Sequence, residues 1–390
     1  MNRNLICFFP LLFFSLFSRA QVTENKVVAG YLTISKQHPF DWDNLEYKNL
    51  THIILSFMEP VSATDPALRY HGPEDVFAKY DLKEKTFFGF ASRLIAEAHK
   101  NKVKVILGLC GGNDLHASDL KGLFADDKLR SSFIQNVLAT CVKYHFDGVD
   151  LDYEYPGSKQ EGEGITKFTR ELRDAVDKSN KLDHGRPFTI TLACPKLDAL
   201  GQWYDFAALT HYCDWFNIMT YGYEASFTKF AGFNCPLYPA PEAIAAGRNI
   251  SVDQSMYEYF HLQRKVPLDK LVVGLGFYGW LHQDYTRLYG AKSASISLSY
   301  ADIVQNYLNA PGWVYNWSDA SKVPYLTNEK NKEMITYDDA ISIGIKCNYA
   351  IEKGFRGVMI WELSRGYLYR KQTDTQPLLQ AVGDKFKLQH

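Results

Sequence analysis

The sequence has almost no net charge: its 390 residues include 43 basic and 44 acidic side chains, a formal balance of −1. A near-neutral chain carries no global field to draw it to nucleic acid or acidic lipid, so neither is expected as a partner. Charged residues are not enriched (22%) and hydrophobic ones reach 46%, which excludes wholesale disorder. No C-x-x-C pair occurs, so zinc-ribbon and thioredoxin-like readings fail. There is no low-complexity tract, no Pro/Ser linker and no internal repeat. No apolar run is long enough to span a bilayer comfortably; the nearest, Leu5 to Phe17, is too short.

That short run has another use. Arg3 precedes it, and Ser18-Arg19-Ala20 follows with small residues at the −3 and −1 positions of a cleavage site. Residues 1–20 therefore read as a signal peptide, with residues 21–390 as one exported domain, extracellular or periplasmic, and no stable membrane insertion after cleavage. Cys7 lies inside the leader. The other six cysteines, Cys110, Cys141, Cys194, Cys213, Cys235 and Cys347, lead us to expect one or two disulfides in an exported chain.

Aromatic residues are abundant at 15%, with 25 Tyr, 25 Phe and 7 Trp. A large core would account for them. So would a groove for flat ligands such as sugar rings, whose apolar CH faces stack on aromatic planes.

Eight short apolar runs alternate with amphipathic stretches. They are Lys26–Leu32, Thr51–Phe57, Val103–Leu109, Gly148–Glu154, Phe188–Cys194, Trp215–Tyr221, Leu271–Phe277 and Gly357–Glu362. Most are rich in β-branched residues, the pattern of strands covered on both faces. Helical periodicity appears at Thr86–Lys100, Arg130–Tyr144, Ile165–Lys178, Val252–Arg264 and Tyr337–Lys353. This is the pattern of a (β/α)8 barrel. A doubly wound open sheet usually carries G-x-G-x-x-G after its first strand, and here that turn reads Tyr31-Leu-Thr-Ile34. From about 281 to 336 the alternation stops, and the Tyr-, Ser- and Asn-rich stretch reads as an irregular insertion between strands seven and eight.

In a barrel, chemistry sits at the C-terminal strand ends. The fourth strand ends in Asp150-Leu-Asp-Tyr-Glu154. Alternation points Asp150, Asp152 and Glu154 the same way, ~6.6 Å apart along the strand. If they face the interior, three carboxyls share a desolvated row, and at least one must hold a proton near neutral pH. A carboxylic acid kept protonated is a general acid. A solvated edge strand would carry these acids freely, but Val149 and Leu151 would still need burial. A calcium loop also spaces acids by two, yet it needs a flexible polar backbone with Gly at its sixth position.

Asp147-Gly-Val-Asp-Leu-Asp-Tyr-Glu154 resembles the D-G-x-D-x-D-x-E signature of glycoside hydrolase family 18, the chitinases and their relatives. The likeness extends along the chain. Gly111-Gly112 is similar to the family's S-x-G-G turn, with Cys110 displaced into the Ser position. Met219-Thr-Tyr221 resembles its M-x-Y, Gly232-Phe-Asn-Cys-Pro-Leu-Tyr238 the loop of the chitinase branch, and Gly276-Phe-Tyr-Gly279 and Gly357-Val-Met-Ile-Trp-Glu362 the last two strand ends.

The resemblance implies an exported hydrolase of β-1,4-linked N-acetylglucosamine polymers. Retaining catalysis would be assisted by the substrate's own acetamide, needing no metal or organic cofactor, and the protein would act as a monomer. Glu154 would be acid and base, Asp152 would orient the acetamide, Asp150 would share its proton, and Tyr221 would donate to the acetamide oxygen. Tyr31, Phe57, Gly111, Gly112, Tyr155, Met219 and Trp361 would bind the sugar, with Trp361 as its floor; Trp280, Trp313, Tyr315 and Trp317 would be candidate outer subsites. Two alternatives stay open: an endo-β-N-acetylglucosaminidase acting on N-glycans, and a catalytically silent chitin-binding lectin. The sequence departs from the pattern at Gly222, where the family often has Asp or Asn after M-x-Y, and at Trp280, where it often has Arg.

Overall fold

The computed structural model describes residues 26–34, 40–110, 117–179, 182, 187–371 and 373–388. The expected leader and the Gly111-Gly112 turn lie outside the described residues.

All eight apolar runs form strands: β1 (Val27–Thr33), β2 (His52–Ser62), β3 (Lys104–Leu109), β4 (Gly148–Asp152), β5 (Thr189–Cys194), β6 (Trp215–Ile218), β7 (Leu271–Gly276) and β8 (Gly357–Trp361). Each pairs in parallel with the next in sequence. Val27 to Gly30 of β1 also align with Gly357 to Ile360 of β8, which closes the ring. Closure separates this barrel from a doubly wound open sheet. An antiparallel strand, Asp65–Tyr70, extends β2 outward as a hairpin.

Helices follow the strands where the 3.6-residue period is capped. Thr86 accepts from the Gly89 N–H to start Phe87–Lys100. Asp126 accepts from Lys128 and Leu129 to start Asp127–Tyr144. Ser158 accepts from Glu161 to start Lys159–Asp177. Asp339 and Ser342 form a reciprocal capping box ahead of Ala340–Glu352. The periodic stretch Val252–Arg264 winds more widely, as a π-type helix over Gln254–Gln263.

Strand alternation sorts the core into two layers. Val28, Leu32, Val149, Leu151, Phe216 and Ile218 pack outward under the helices. Val27, Ala29, Tyr31, Ile54, Ile106, Trp215 and Met359 pack inside the barrel. The same alternation turns Asp150 and Asp152 inward.

Between β7 and β8 the structure differs from the irregular insertion expected. The segment is a five-stranded antiparallel sheet of Ser295–Ser299, Tyr278–Gln283, Glu333–Thr336, Val323–Asn328 and Val314–Ser318, in that spatial order. A short helix, Tyr300–Asn306, follows its outer strand. The sheet begins three residues before the expected boundary, at Tyr278. Its two outer strands, Ser295–Ser299 and Val314–Ser318, are half exposed and mix Ser and Asn with single apolar residues, so they lack the continuous apolar runs of the barrel strands.

The expectation of one or two disulfides is not met. All six cysteines are buried free thiols, each packed within an apolar layer. The lobe is instead joined to the barrel by polar contacts. Asp338 and Lys346 are both fully buried and ion-paired, and the Ser342 hydroxyl donates to Asp338 at 2.6 Å.

Two outcomes follow from these joints. Lys346→Met strands the Asp338 carboxylate and lowers the unfolding free energy in urea by ~3–5 kcal/mol. The double substitution Lys346→Met with Asp338→Leu recovers most of that loss; equal losses in single and double variants would contradict the pairing. Excess reductant leaves the melting temperature unchanged, whereas opening a native bridge would remove ~2–5 kcal/mol.

Candidate functional site

The first acid of the motif, Asp147, does not join the other three. Asp147 sits just before β4, takes the Val105 N–H at 2.7 Å and lies 2.7 Å from His99. It ties β3 to β4 at the end of the barrel away from the cleft.

Asp150 lies in the barrel interior, 0% exposed. Three donors hold it: Tyr31 Oη at 2.7 Å, Thr191 Oγ1 at 2.5 Å and Asn217 Nδ2 at 3.0 Å. Trp215 Nε1 in turn fixes the Asn217 carbonyl at 3.0 Å. Burial pushes the Asp150 pKa up, and the three donors pull against it.

Asp152, two residues nearer the mouth, is 4% exposed, and its Oδ1 has no hydrogen-bond partner among the described residues. Its pKa is driven well above the usual carboxylate value, first by burial, then by the charges of Glu154 and Asp150. Glu154 is also raised by burial, while Tyr155 and the Lys196 charge act in the opposite direction. The row therefore titrates as a set sharing fewer charges than carboxyls.

Above the row a cavity of about 460 Å³ opens, and its wall includes Asp152, Glu154, Tyr31, Tyr155, Met219, Tyr221 and Trp361. Trp361 is half-buried, edge-on to Tyr31 at 5.4 Å and nearly parallel to Phe57 at 6.1 Å. Phe57 thus backs Trp361 and does not itself line the cavity. Non-proline cis peptide bonds occur at Ser56-Phe57, within β2 where its register against β3 shifts, at Glu154-Tyr155 just past β4, and at Trp361-Glu362 at the end of β8. The Tyr221 ring packs edge-on to Tyr278 at 5.9 Å, and among the described residues its hydroxyl has one hydrogen-bond partner, the Met359 sulfur at 4.0 Å. Burial raises its pKa strongly, so it is a neutral donor.

Of the aromatic residues expected further out, Trp280 lines the cavity. Trp313, Tyr315 and Trp317 do not. Trp313 packs on Tyr307 at 5.3 Å, and Tyr315 and Trp317 lie on the strand at the far edge of the lobe sheet. Gly111 and Gly112 lie outside the described residues.

Gly222 has φ +67°, the left-handed region, and its N–H donates to Asn234 Oδ1 at 2.9 Å. Asn234 Nδ2 reaches the Tyr278 carbonyl at 3.1 Å, so the chitinase-branch loop braces the end of β6 against the lobe. A side chain at 222 would meet Tyr278 Oη at 3.3 Å and Lys196 Nζ at 3.8 Å.

Lys196, immediately past β5, is a cavity residue that sequence reasoning missed, as is Arg248, which is paired with the buried Glu224 at 2.7 Å. The signal for Lys196 is its place two residues past the end of β5. Arg248 lies in no motif.

The model of the glycosyl hydrolases family 18 matches residues 27–366. Chitinase A1 of Niallia circulans is 34% identical over 261 residues, 60% of this chain and 37% of that protein. Probable chitinase 2 of Drosophila melanogaster is 28% identical over 90% of this chain and 74% of its own length. The chain thus spans little more than a third of the first of these relatives and about three quarters of the second. In fold it is similar to the Group IV chitinase of Ostrinia furnacalis in complex with allosamidin. The TM-score is 0.79 at 23% identity, over 92% of this chain and 98% of that one. A match over this much of the barrel, with the acidic strand inside it, places the chain in family 18 of the glycosyl hydrolases.

Proposed function

We propose that the protein is an exported chitinase that cleaves β-1,4-linked N-acetylglucosamine chains with retention of configuration. The observation that carries this reading is the row of Asp150 and Asp152, buried on β4, and Glu154, half-buried two residues beyond it, with Asp152 and Glu154 in the wall of a cavity that Tyr31, Tyr155, Tyr221 and Trp361 also line.

Each group has a role that fits its surroundings. Glu154, whose pKa burial raises, gives its proton to the glycosidic oxygen as the anomeric C–O bond breaks. The substrate's acetamido oxygen closes on the anomeric carbon, so no protein nucleophile is needed; family 18 is an exception to the two-carboxylate scheme. The unpartnered Oδ1 of Asp152 is an acceptor without a donor, which suits the acetamido N–H. As positive charge grows on that group, Asp152 stabilises it in a site closed to water. Asp150, with three donors, holds the second carboxylate of the pair and keeps Asp152 in place. Tyr221 donates to the acetamido oxygen, and Trp361 carries the apolar face of the ring. Glu154, now a carboxylate, then takes a proton from water, which opens the cyclic intermediate from the face the leaving group vacated. Two inversions give retention.

Intact Glu154, Asp152 and Tyr221 weigh against a silent lectin. The Gly232–Tyr238 loop, bonded into the site through Asn234, favours a chitinase over an N-glycan hydrolase. Export rests on the leader at 1–20, with a monomer as the acting form.

Two measurements test this reading. Glu154→Gln reduces release of reducing ends from chitotetraose by about 10²–10⁴-fold while binding persists. Equal binding by both proteins with no turnover in either would establish the lectin instead, and cleavage of a high-mannose glycoprotein in preference to colloidal chitin would establish the N-glycan hydrolase.

The second concerns stability. A carboxyl whose folded pKa is raised lends stability below its unfolded pKa and loses it as pH rises through the folded value. Asp152→Asn removes that loss. The melting temperature of the variant therefore exceeds that of the wild type by a margin that grows from mildly acidic to mildly alkaline pH, while hydrolysis falls. A margin that does not change with pH would show that Asp152 is not held protonated.

A further inference from the structure

Lys196 is a buried cation in the cleft without a counter-ion. It is 8% exposed and makes no hydrogen bond or ion pair with a described residue. Its ammonium lies 5.7 Å from the Tyr223 ring centre and 5.8 Å from that of Phe227. Three acidic groups are within electrostatic reach: Glu154, Cys235 and Glu224. Glu224 is already engaged by Arg248 at 2.7 Å. The Cys235 thiol is buried and neutral, its pKa pushed well up. Glu154 must carry a proton to act as an acid. In the state that starts the reaction, the charge of Lys196 is therefore uncompensated.

A lysine kept only for packing usually extends its ammonium to water, because burying an unpaired charge is costly. This one points into the cavity above Gly222. A side chain at 222 would come within 3.8 Å of its Nζ, so the glycine leaves room for it. The sequence pattern leads one to expect an acid or amide at 222. The structure has a cation over that place instead.

On the hydrolase reading, the sugar on the non-reducing side of the broken bond must carry an acetamide, since the acetamide is the nucleophile. Selection by charge is therefore expressed at the other rings, and a cation whose charge reaches Glu154, the group assigned to the leaving oxygen, acts on the leaving-group side. We infer that Lys196 makes the cleft accept an uncharged N-acetylated ring on the leaving-group side and reject a glucosamine ring there, whose ammonium would meet a like charge in a poorly solvated wall. Burial lowers the Lys196 pKa to about 8, so the residue is charged in mildly acidic buffer, where glucosamine is charged too. Its ammonium also supplies donors for ring hydroxyls, which a neutral ring accepts without penalty.

The test is a digest of partly N-deacetylated chitosan of known composition in mildly acidic buffer, with the new non-reducing ends sequenced by mass spectrometry. In the wild type, N-acetylglucosamine is enriched at those ends over the polymer composition by about tenfold, the factor that a repulsion of modest size gives. Lys196→Met and Lys196→Gln bring the ends back toward the polymer composition, and Lys196→Arg keeps the bias. The ratio is internal to one digest, so slower turnover does not alter it. A wild type without bias overturns the inference, as does an unchanged bias in either neutral variant. Chitotetraose serves as the separate control for hydrolysis itself. If the wild type does not cleave it, the hydrolase reading fails. The inference is then decided by affinity: the wild type binds chitotetraose about tenfold tighter than glucosamine tetramer, and equal affinities, or a preference that survives in Lys196→Met, overturn it.

Discussion

Three carboxyls on one face of one short strand are the constraint to which the surrounding structure answers. A polar strand end in water could carry them at no cost. Inside a barrel they can stay only if protons and donors are shared out among them. The three are treated unequally. Asp150, deepest, receives donors from β1, β5 and β6. Asp152 is denied a donor on one oxygen. Glu154, at the rim, is half-buried and faces the cavity. The gradient from satisfied to unsatisfied along ~13 Å of strand is what turns a costly cluster into an ordered set of roles.

That gradient depends on closure of the sheet. The donors to Asp150 sit on three strands, and only a ring brings β1 across to β4 while β5 and β6 approach from the side. Alternation does the rest. Val149 and Leu151 anchor β4 under the helices, and in doing so fix the opposite orientation of the acids between them. A slip of one residue in register would bury the wrong face, so the apolar packing outside and the chemistry inside are specified by the same pairing.

Much of this was legible in the chain. The eight barrel strands could be read because strands covered on both faces are continuous apolar runs, and the acidic row could be read because nothing in packing explains it. The lobe was misread for the corresponding reason: strands such as Ser295–Ser299 and Val314–Ser318 are half exposed, so their apolar residues come singly. The cysteines were misread because oxidation state follows from the distance and direction between two thiols, and spacing along the chain reports neither. Tyr31, Tyr221 and Trp361, which the resemblance puts at the sugar, all line the cavity. Trp313, Tyr315 and Trp317 were misplaced, because a loop wall was imagined where a sheet carries them away from the cleft.

Lys196 and Gly222 show why a site is more than its motif. Neither residue is informative alone: a lysine after a strand is ordinary, and a glycine at φ +67° is a turn. Only the fold sets Nζ and the missing side chain within 3.8 Å of each other and both beside the acid. The two are then best understood as one change. An acid at 222 would hold the Lys196 ammonium as an ion pair, and the cleft would present a neutral wall. With glycine there, the charge stays free and acts on whatever enters. A cation beside Glu154 also favours its ionised form, the form needed when water attacks, and burial favours the protonated form, the one needed when the bond breaks. On the proposed mechanism Glu154 serves as acid and then as base in one turnover, and such a group gains from opposed influences, because neither protonation state is held too firmly to be left.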